Sequence, residues 1–259
     1  MTRPALPSDL SEALTQAAHC DRLLVASDFD GVLAPFVVDP MDSRAQEGTL
    51  EDIAALGALP GTDAALVSGR DLATLTRLTA EAGEGVTRLG SHGAQSSRQG
   101  LGGLDGSAAG HLAALDVFVT SELALLGRPV RREDKPAAVV LHTRDADPSL
   151  AAAVEEVAAR AADLDGVRLL HGKSVFELSV VEADKGTALL ALADELGSDV
   201  LVYLGDDVTD EHVFEAARAH DVTIKVGEGQ TSARYRVAGC EDVPEVLRAL
   251  RAARVTRGS

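Results

Sequence analysis

The sequence predicts an α/β fold, a doubly wound parallel sheet interrupted by an inserted α+β unit, and three observations carry that reading. Short apolar runs stopped by Gly or Asp recur along the chain, as strands buried on both faces of a parallel sheet require. Helical patterns separate these runs, which is the alternation of a doubly wound sheet. The middle of the chain then breaks that rhythm.

Four runs read as sheet strands: Leu23 to Ser27, Ala64 to Val67, Val200 to Leu204 and Val222 to Val226. Leu189, Leu192, Ala193 and Leu196 repeat at helical spacing and stop at Gly197, while Val243, Val246, Leu247 and Leu250 do the same behind Pro244. In the middle, a Gly/Ser-rich stretch from Ser96 to Gly110 precedes a helix with Leu112, Leu115, Val119 and Leu123 or Leu126 inward. A strand at Ala137 to Leu141, a helix with Val154, Val157, Ala158 and Ala161 inward, and a strand at Ser174 to Val181 follow. Residues 101–182 are therefore expected as an inserted domain, and residues 1–100 and 183–259 as the core domain.

The chain has 259 residues, enough for one large domain or two smaller ones, and is 46% hydrophobic and 25% charged, a globular composition. A formal net charge of -17 opposes non-specific binding to nucleic acid or anionic membranes. Any anionic substrate must be captured by local cations. Cys20 and Cys240 lack CxxC spacing and the seven His form no HExxH pair, so zinc and disulfide scaffolds are unsupported. Met1 to Leu10 lacks the pattern of a secretory leader and no run is expected to approach membrane-spanning length, so a cytoplasmic protein is expected. Oligomeric state is not legible, and a monomer is compatible with the sequence. No P-loop, dinucleotide fingerprint or EF-hand spacing occurs.

Two acidic clusters follow strand runs: Asp28-Phe29-Asp30-Gly31, and Gly205-Asp206-Asp207-Val208-Thr209-Asp210. Loops at the carboxyl ends of parallel strands are where open α/β sheets bind ligands, so these carboxylates are expected in one crevice. Gathered carboxylates repel one another unless a cation sits among them, and hard oxygen ligands suit Mg²⁺. Turn and helix capping would explain either cluster alone, but explains both together less well.

Phosphomonoester hydrolysis needs a nucleophile and strong charge neutralisation. Asp28 at a strand end is placed to attack phosphorus, and Asp30 to donate a proton to the leaving oxygen and later take one from water. Mg²⁺ held by Asp28 and Asp206 would shield the nucleophile from the phosphate. Ser68, in Ser68-Gly69-Arg70, ends a strand where its hydroxyl and the next amides can bind a phosphate oxygen, and Lys185 opens a helix beside the nucleophile.

This ordered set resembles the four motifs of the haloacid dehalogenase superfamily, whose fold is a Rossmann-like core with an inserted cap. Leu33-Ala34-Pro35, Gly90-Ser91-His92-Gly93-Ala94, Lys135-Pro136 leading to Leu141-His142-Thr143-Arg144, and the stretch from Gly205 to Phe214 are similar to trehalose-6-phosphate phosphatases. So is His171 to Leu178, which matches that family's cap motif, Gly-Lys-x-x-x-Glu. Val32 stands where the family more often has Thr, and Ser179 to Ala183 lacks the Arg-Pro that commonly follows the cap Glu. The resemblance implies a Mg²⁺-dependent phosphatase making trehalose and phosphate from trehalose 6-phosphate. It implies Asp28 as nucleophile, Asp30 as acid/base, Ser68 and Lys185 as phosphate ligands, and Lys173 and Glu177 as sugar readers. Asp28, Asp206 and the Asp30 carbonyl are the implied metal ligands, with Asp210 as a supporting acidic residue, and Asp207 in a similar position.

Strand alternation puts Lys173, Val175, Glu177 and Ser179 on one face, with Lys173 and Glu177 roughly 13 Å apart, a span comparable with a disaccharide. Arg70, His92 and His142 are further candidates for substrate contacts. With no Trp and 3% aromatic residues, hydrogen bonds rather than stacking are expected to read the sugar. A phosphatase for sucrose phosphate or a glycosyl-3-phosphoglycerate would share the core motifs. A catalytically silent sugar-phosphate sensor would keep the fold without the complete set.

Overall fold

A computed structural model describes residues 6–37, 39–98, 106–172, 174–180 and 184–257. In chain order the elements are α1 (Ser8–Ala17), β1 (Leu23–Asp28), α2 (Thr49–Gly57), β2 (Thr62–Val67), α3 (Leu72–Leu78), β3 (Thr87–Gly90), β4 (Gln95–Ser96), α4 (Gly106–Leu125), β5 (Arg131–Lys135) and β6 (Ala138–His142). Then come α5 (Pro148–Ala161), β7 (Arg168–Gly172), β8 (Val175–Ser179), α6 (Lys185–Leu196), β9 (Val200–Gly205), α7 (Val208–Ala216), β10 (Val222–Val226), β11 (Tyr235–Val237) and α8 (Val243–Arg257). The chain divides into two compact units, Met1–Gly102 with Ala183–Ser259, and Gly103–Glu182.

The first unit holds a seven-stranded sheet in the order β11-β10-β9-β1-β2-β3-β4, parallel except for the short β4 at the edge. Every residue of β1 and β9 is buried, because helices cover both faces. Leu23 and Val25 face one layer with Leu10, Leu14, Ile53, Leu56 and Leu247. Leu24 and Ala26 face the other, with Leu189, Leu192, Val213 and Phe214. Continuous apolar runs rather than alternation are the sequence mark of strands sandwiched in this way.

β1 pairs with β2 on one side and β9 on the other, so the strand order reverses direction here and opens a crevice at the carboxyl ends. Asp28 lies level with Val67 in the β1–β2 ladder, and Ser27 level with Leu204 of β9. The residues just beyond these strand tips therefore emerge side by side.

At the opposite end of the sheet α8 contributes Arg254, 4% exposed. Its guanidinium donates to the carbonyls of Ala18 (2.8 Å), Gly61 (2.8 Å) and Asp21 (3.1 Å) and to the Thr62 hydroxyl (2.9 Å). The cation ties the last helix to the segments that enter β1 and β2, and satisfies carbonyls that would otherwise be buried without partners.

The second unit is a four-stranded antiparallel sheet, order β5-β6-β8-β7. Leu115 and Val119 of α4 and Val154, Val157 and Ala161 of α5 pack on Val139, Leu141 and Leu178. The sequence showed β6, β8 and both helices through their apolar faces. It did not show β5, Arg-Arg-Glu-Asp-Lys, because an edge strand needs no apolar run and charges there discourage further pairing. The parts of the Gly/Ser-rich stretch at residues 99–105 and of the expected Ser174 to Val181 strand at Val181 lie outside the described residues. By length and composition α4 is apolar enough to cross a bilayer, which corrects the expectation that no run approaches that length. A core helix passes the same test, and Leu115 and Val119 of α4 are fully buried in this unit's core.

Arg254→Met should lower unfolding stability by about 2–4 kcal/mol, because it leaves several buried carbonyls unpaired. Urea denaturation followed by circular dichroism measures this. A midpoint unchanged from the parent would show that the clamp contributes nothing.

Candidate active site

The crevice at the carboxyl ends of β1, β2 and β9 is a cavity of about 390 Å³ lined by Asp28, Asp30, Ser68, Arg70, His92, Lys185 and Asp206. Seven residues proposed from sequence thus meet in one place within the first unit.

Asp28 is the last residue of β1 and 5% exposed. Its Oδ1 accepts from the Phe29 N–H (2.6 Å) and its Oδ2 from Lys185 Nζ (2.5 Å). Lys185 reaches it because Asp184 caps α6, its side chain accepting from the Thr187 N–H at 2.8 Å, and so fixes Lys185 at the first helical position. The same Nζ donates to Asp210 Oδ1 at 2.7 Å.

Asp210 is fully buried on α7. Its Oδ1 also accepts from the Tyr203 hydroxyl (2.6 Å), and its Oδ2 from the backbone N–H groups of Asp206 (2.8 Å) and Asp207 (2.9 Å). With Asp207 at the N-cap this forms a capping box, so Asp207 serves the helix start. One oxygen each of Asp28, Asp206 and Asp210 lies within 4.8 Å of the others. Asp210, expected as a metal ligand, has both oxygens engaged by these four donors and does not line the cavity, whereas Asp28 and Asp206 do.

Asp206 Oδ1 is buried and has no hydrogen-bond partner. Its carboxylate stands against Gly31, where φ is +78° and a methyl group would lie 2.1 Å from Asp206 Oδ2. Only glycine satisfies both the backbone angle and that approach.

The electrostatics match this crowding. Burial pushes Asp28 well above the usual carboxylate range and Asp210 pushes it further, while Lys185 pulls it back. Burial and Asp210 raise Asp206 to about 7 against the pull of Lys185. Burial pulls Lys185 down, but Asp28 and Asp210 outweigh it and its value ends above the ordinary one. Lys185 is shared by Asp28 and Asp210, and the Asp206 oxygen without a partner is a hard donor of the kind that suits a hard cation. A divalent ion fits both the charge deficit and the donor type.

Asp30 is held differently. Arg70 Nε donates to its Oδ2 (2.6 Å) and Arg70 Nη2 to its Oδ1 (2.7 Å), a bidentate pair, and the Ser43 hydroxyl donates to Oδ1 at 3.1 Å. Arg70 Nη1 also donates to the Pro40 carbonyl at 2.7 Å. Arg70, expected to touch substrate, is thus engaged by Asp30 in this structure. Ser68 is buried, and its Oγ accepts from the Arg70 N–H at 3.1 Å, which orients the turn. Ser91 and His92 both sit at positive φ, 49° and 56°, a strained turn at the cavity wall.

A trehalose-phosphatase family model matches residues 127–241. The chain is 33% identical over 243 residues to a bifunctional trehalose-6-phosphate synthase/phosphatase of Thermoproteus tenax, covering 90% of this chain and 32% of that protein. It is 34% identical over 233 residues to a trehalose-phosphate phosphatase of Mycobacterium tuberculosis, covering 85% of this chain and 59% of that one. The structure of Aspergillus fumigatus trehalose-6-phosphate phosphatase superposes with a TM-score of 0.68 at 25% identity, covering 97% of this chain and all of that one. Along most of its length the chain is similar to trehalose phosphatases. It spans about a third and three fifths, respectively, of the two curated relatives' own lengths.

In the second unit Glu177 lies on the sheet face opposite the buried Leu178, and Lys135 Nζ donates to its Oε2 at 2.7 Å. His142 Nε2 lies 2.9 Å from Glu133 Oε2. His142 and Arg144 line a second cavity of about 640 Å³. Lys173 lies outside the described residues.

Sequence reasoning missed Tyr203 and Lys225. Lys225 is 5% exposed on β10, and its Nζ donates to the Asp206 carbonyl. A lone Lys in the otherwise buried run Val222 to Val226 was the available signal, since a buried cation needs an acceptor. Tyr203 stood equally alone in β9.

Asp206 binds its proton more tightly folded, at about 7, than unfolded, at about 4. Its contribution to stability is therefore complete below about pH 4 and lost as pH rises through 7. A divalent cation that replaces the proton should raise Tm more at pH 8 than at pH 5.5. Calorimetry with millimolar Mg²⁺ or EDTA checks this, and Asp206→Asn should shrink the difference. Equal shifts at both pH values would contradict it.

Proposed function

We propose that this chain is a Mg²⁺-dependent phosphatase that hydrolyses trehalose 6-phosphate to trehalose and inorganic phosphate through an aspartyl phosphate on Asp28. The observation that carries the reading is the meeting of Asp28, Asp30, Ser68, Lys185 and Asp206 around one cavity, in a chain similar to trehalose phosphatases along most of its length.

Asp28 and Asp206, with the Asp30 carbonyl, would hold the ion. When bound, Mg²⁺ offsets the charge of the nucleophile and the transferring group. The residues do the remainder. The Phe29 amide and Lys185 fix the Asp28 carboxylate at the strand tip, so attack needs little reorganisation. Ser68 and Lys185 neutralise and orient the phosphate. Asp210 and Tyr203 keep Lys185 aimed at the nucleophile, a positioning role.

Asp28 forms the new P–O bond as the bond from phosphorus to the sugar oxygen breaks, and Asp30 gives that oxygen its proton. Water then attacks phosphorus, Asp30 takes back a proton, and phosphate leaves with Asp28 restored. Arg70 grips both oxygens of Asp30 in this arrangement. Before the acid step Asp30 must loosen from Arg70 and gain a proton, and the arriving phosphate dianion is a competing acceptor for the guanidinium.

The decisive experiment is phosphate release from trehalose 6-phosphate, sucrose 6-phosphate, a glycosyl-3-phosphoglycerate and acetyl phosphate, with Mg²⁺ or EDTA. Trehalose 6-phosphate should be preferred, and EDTA should abolish turnover. Preference for a phosphoglycerate ester would reject the trehalose reading, and no release from any ester would indicate a sensor. Asp28→Asn should lose about 10³-fold or more with every substrate. Asp30→Asn should lose about 10²-fold or more with sugar phosphates, but less with acetyl phosphate, whose leaving carboxylate needs no proton. Equal losses for both leaving groups would remove Asp30 from the acid role.

A further inference from the structure

The loop after Gly31 carries an aromatic ring where a folded chain ordinarily hides one. Phe36 is 75% exposed and lines the same cavity as Asp28, Ser68, Lys185 and Asp206. The chain has only five Phe and two Tyr. Phe29, Phe214 and Tyr203 are buried, and Phe118, Phe176 and Tyr235 are half-buried. Among the described residues Phe36 is thus the exposed aromatic side chain, and it stands at the mouth of the catalytic cavity. Val37, 42% exposed, and Pro40 extend the apolar rim.

The loop is fixed at both ends. The Gly31 N–H donates to the Ala34 carbonyl at 2.8 Å and the Ala34 N–H to the Phe29 carbonyl at 2.9 Å. At the other end Arg70 holds the Pro40 carbonyl. A ring kept in water at the edge of a site, on an anchored loop, costs little further ordering when a ligand covers it.

A phosphate dianion has no use for such a rim, since cations, hydroxyls and amides satisfy it. The rim suits the other half of the substrate. A pyranose presents a face of C–H groups that packs on an aromatic ring while its hydroxyls remain free for polar partners. The low aromatic content argued against stacking as the main device, yet a single well-placed ring is enough for one sugar face.

We propose that Phe36 is the platform on which the sugar ring of the substrate stacks, a specificity-determining residue for glycosyl phosphates. This rests on the phosphatase reading above and adds the group that selects the leaving alcohol.

The chain contains no Trp, so Phe36→Trp introduces a unique fluorophore at the point in question. Its emission should shift to shorter wavelength, saturably, when trehalose 6-phosphate is added, and should not do so with inorganic phosphate alone. In parallel, Phe36→Ala should reduce the preference for trehalose 6-phosphate over acetyl phosphate, as a ratio of kcat/KM, by about five- to tenfold, with Phe36→Trp restoring it. Emission that ignores every sugar phosphate, or a preference ratio within twofold of the parent, overturns the proposal. A parent protein that leaves trehalose 6-phosphate intact, while Trp at position 36 responds to a different glycosyl phosphate, would reject trehalose as the sugar and uphold the stacking role.

Discussion

The site depends on one buried ammonium shared between two carboxylates. Lys185, 2% exposed, bridges Asp28 at 2.5 Å and Asp210 at 2.7 Å. Burying that cation alone would cost several kcal/mol, and so would burying either acid. Together they hold one another, with Tyr203 and two backbone amides completing the Asp210 shell. The arrangement still leaves negative charge in excess at Asp28 and Asp206. Such a set of crowded carboxylate oxygens fits a divalent cation.

The sheet order explains how such a cluster assembles. β1 is central, and the chain departs to β2 on one side and returns through β9 on the other. Residues distant in sequence are then delivered to neighbouring strand tips with a register fixed by ladder hydrogen bonds. Gly31 and Asp206 meet so closely that a methyl group has no room. The long segment Gly103–Glu182 interrupts the chain between β4 and α6 without disturbing this, because it packs its helices on its own sheet and has its own core.

Much of this was legible from residues alone. Apolar runs marked β1 and β9, the Val222 to Val226 run marked β10 despite its lone Lys, and Gly197 marked the end of α6, where φ is 62°. Asp28, Asp30, Ser68, Lys185 and Asp206 were named from their position at a strand or helix end, Arg70 and His92 as further candidates for substrate contacts, and all line one cavity. Other features left no such trace. β5 is charged along its length, and an edge strand is held by ladder hydrogen bonds that sequence does not display. The partners of polar side chains were equally hidden: Arg70 read as a substrate contact and proves to grip Asp30, while Glu177 is paired with Lys135. Such pairs join residues tens of positions apart, and no local pattern encodes them.

The sequence by itself determined the α/β class, the interruption of the core and the kinds of group available for chemistry, because burial periodicity and strand-end carboxylates are properties of local chain. Only the tertiary structure decided which carboxylate stays open and which is saturated, that Arg70 and Ser43 hold Asp30, that Lys225 and Tyr203 stand behind the site, and that Phe36 remains in water at its rim. Those outcomes depend on distances of a few ångströms between segments the chain keeps far apart. Electrostatic and hydrogen-bond energies vary steeply over such distances, and the hydrophobic pattern that writes the fold into the sequence does not carry them.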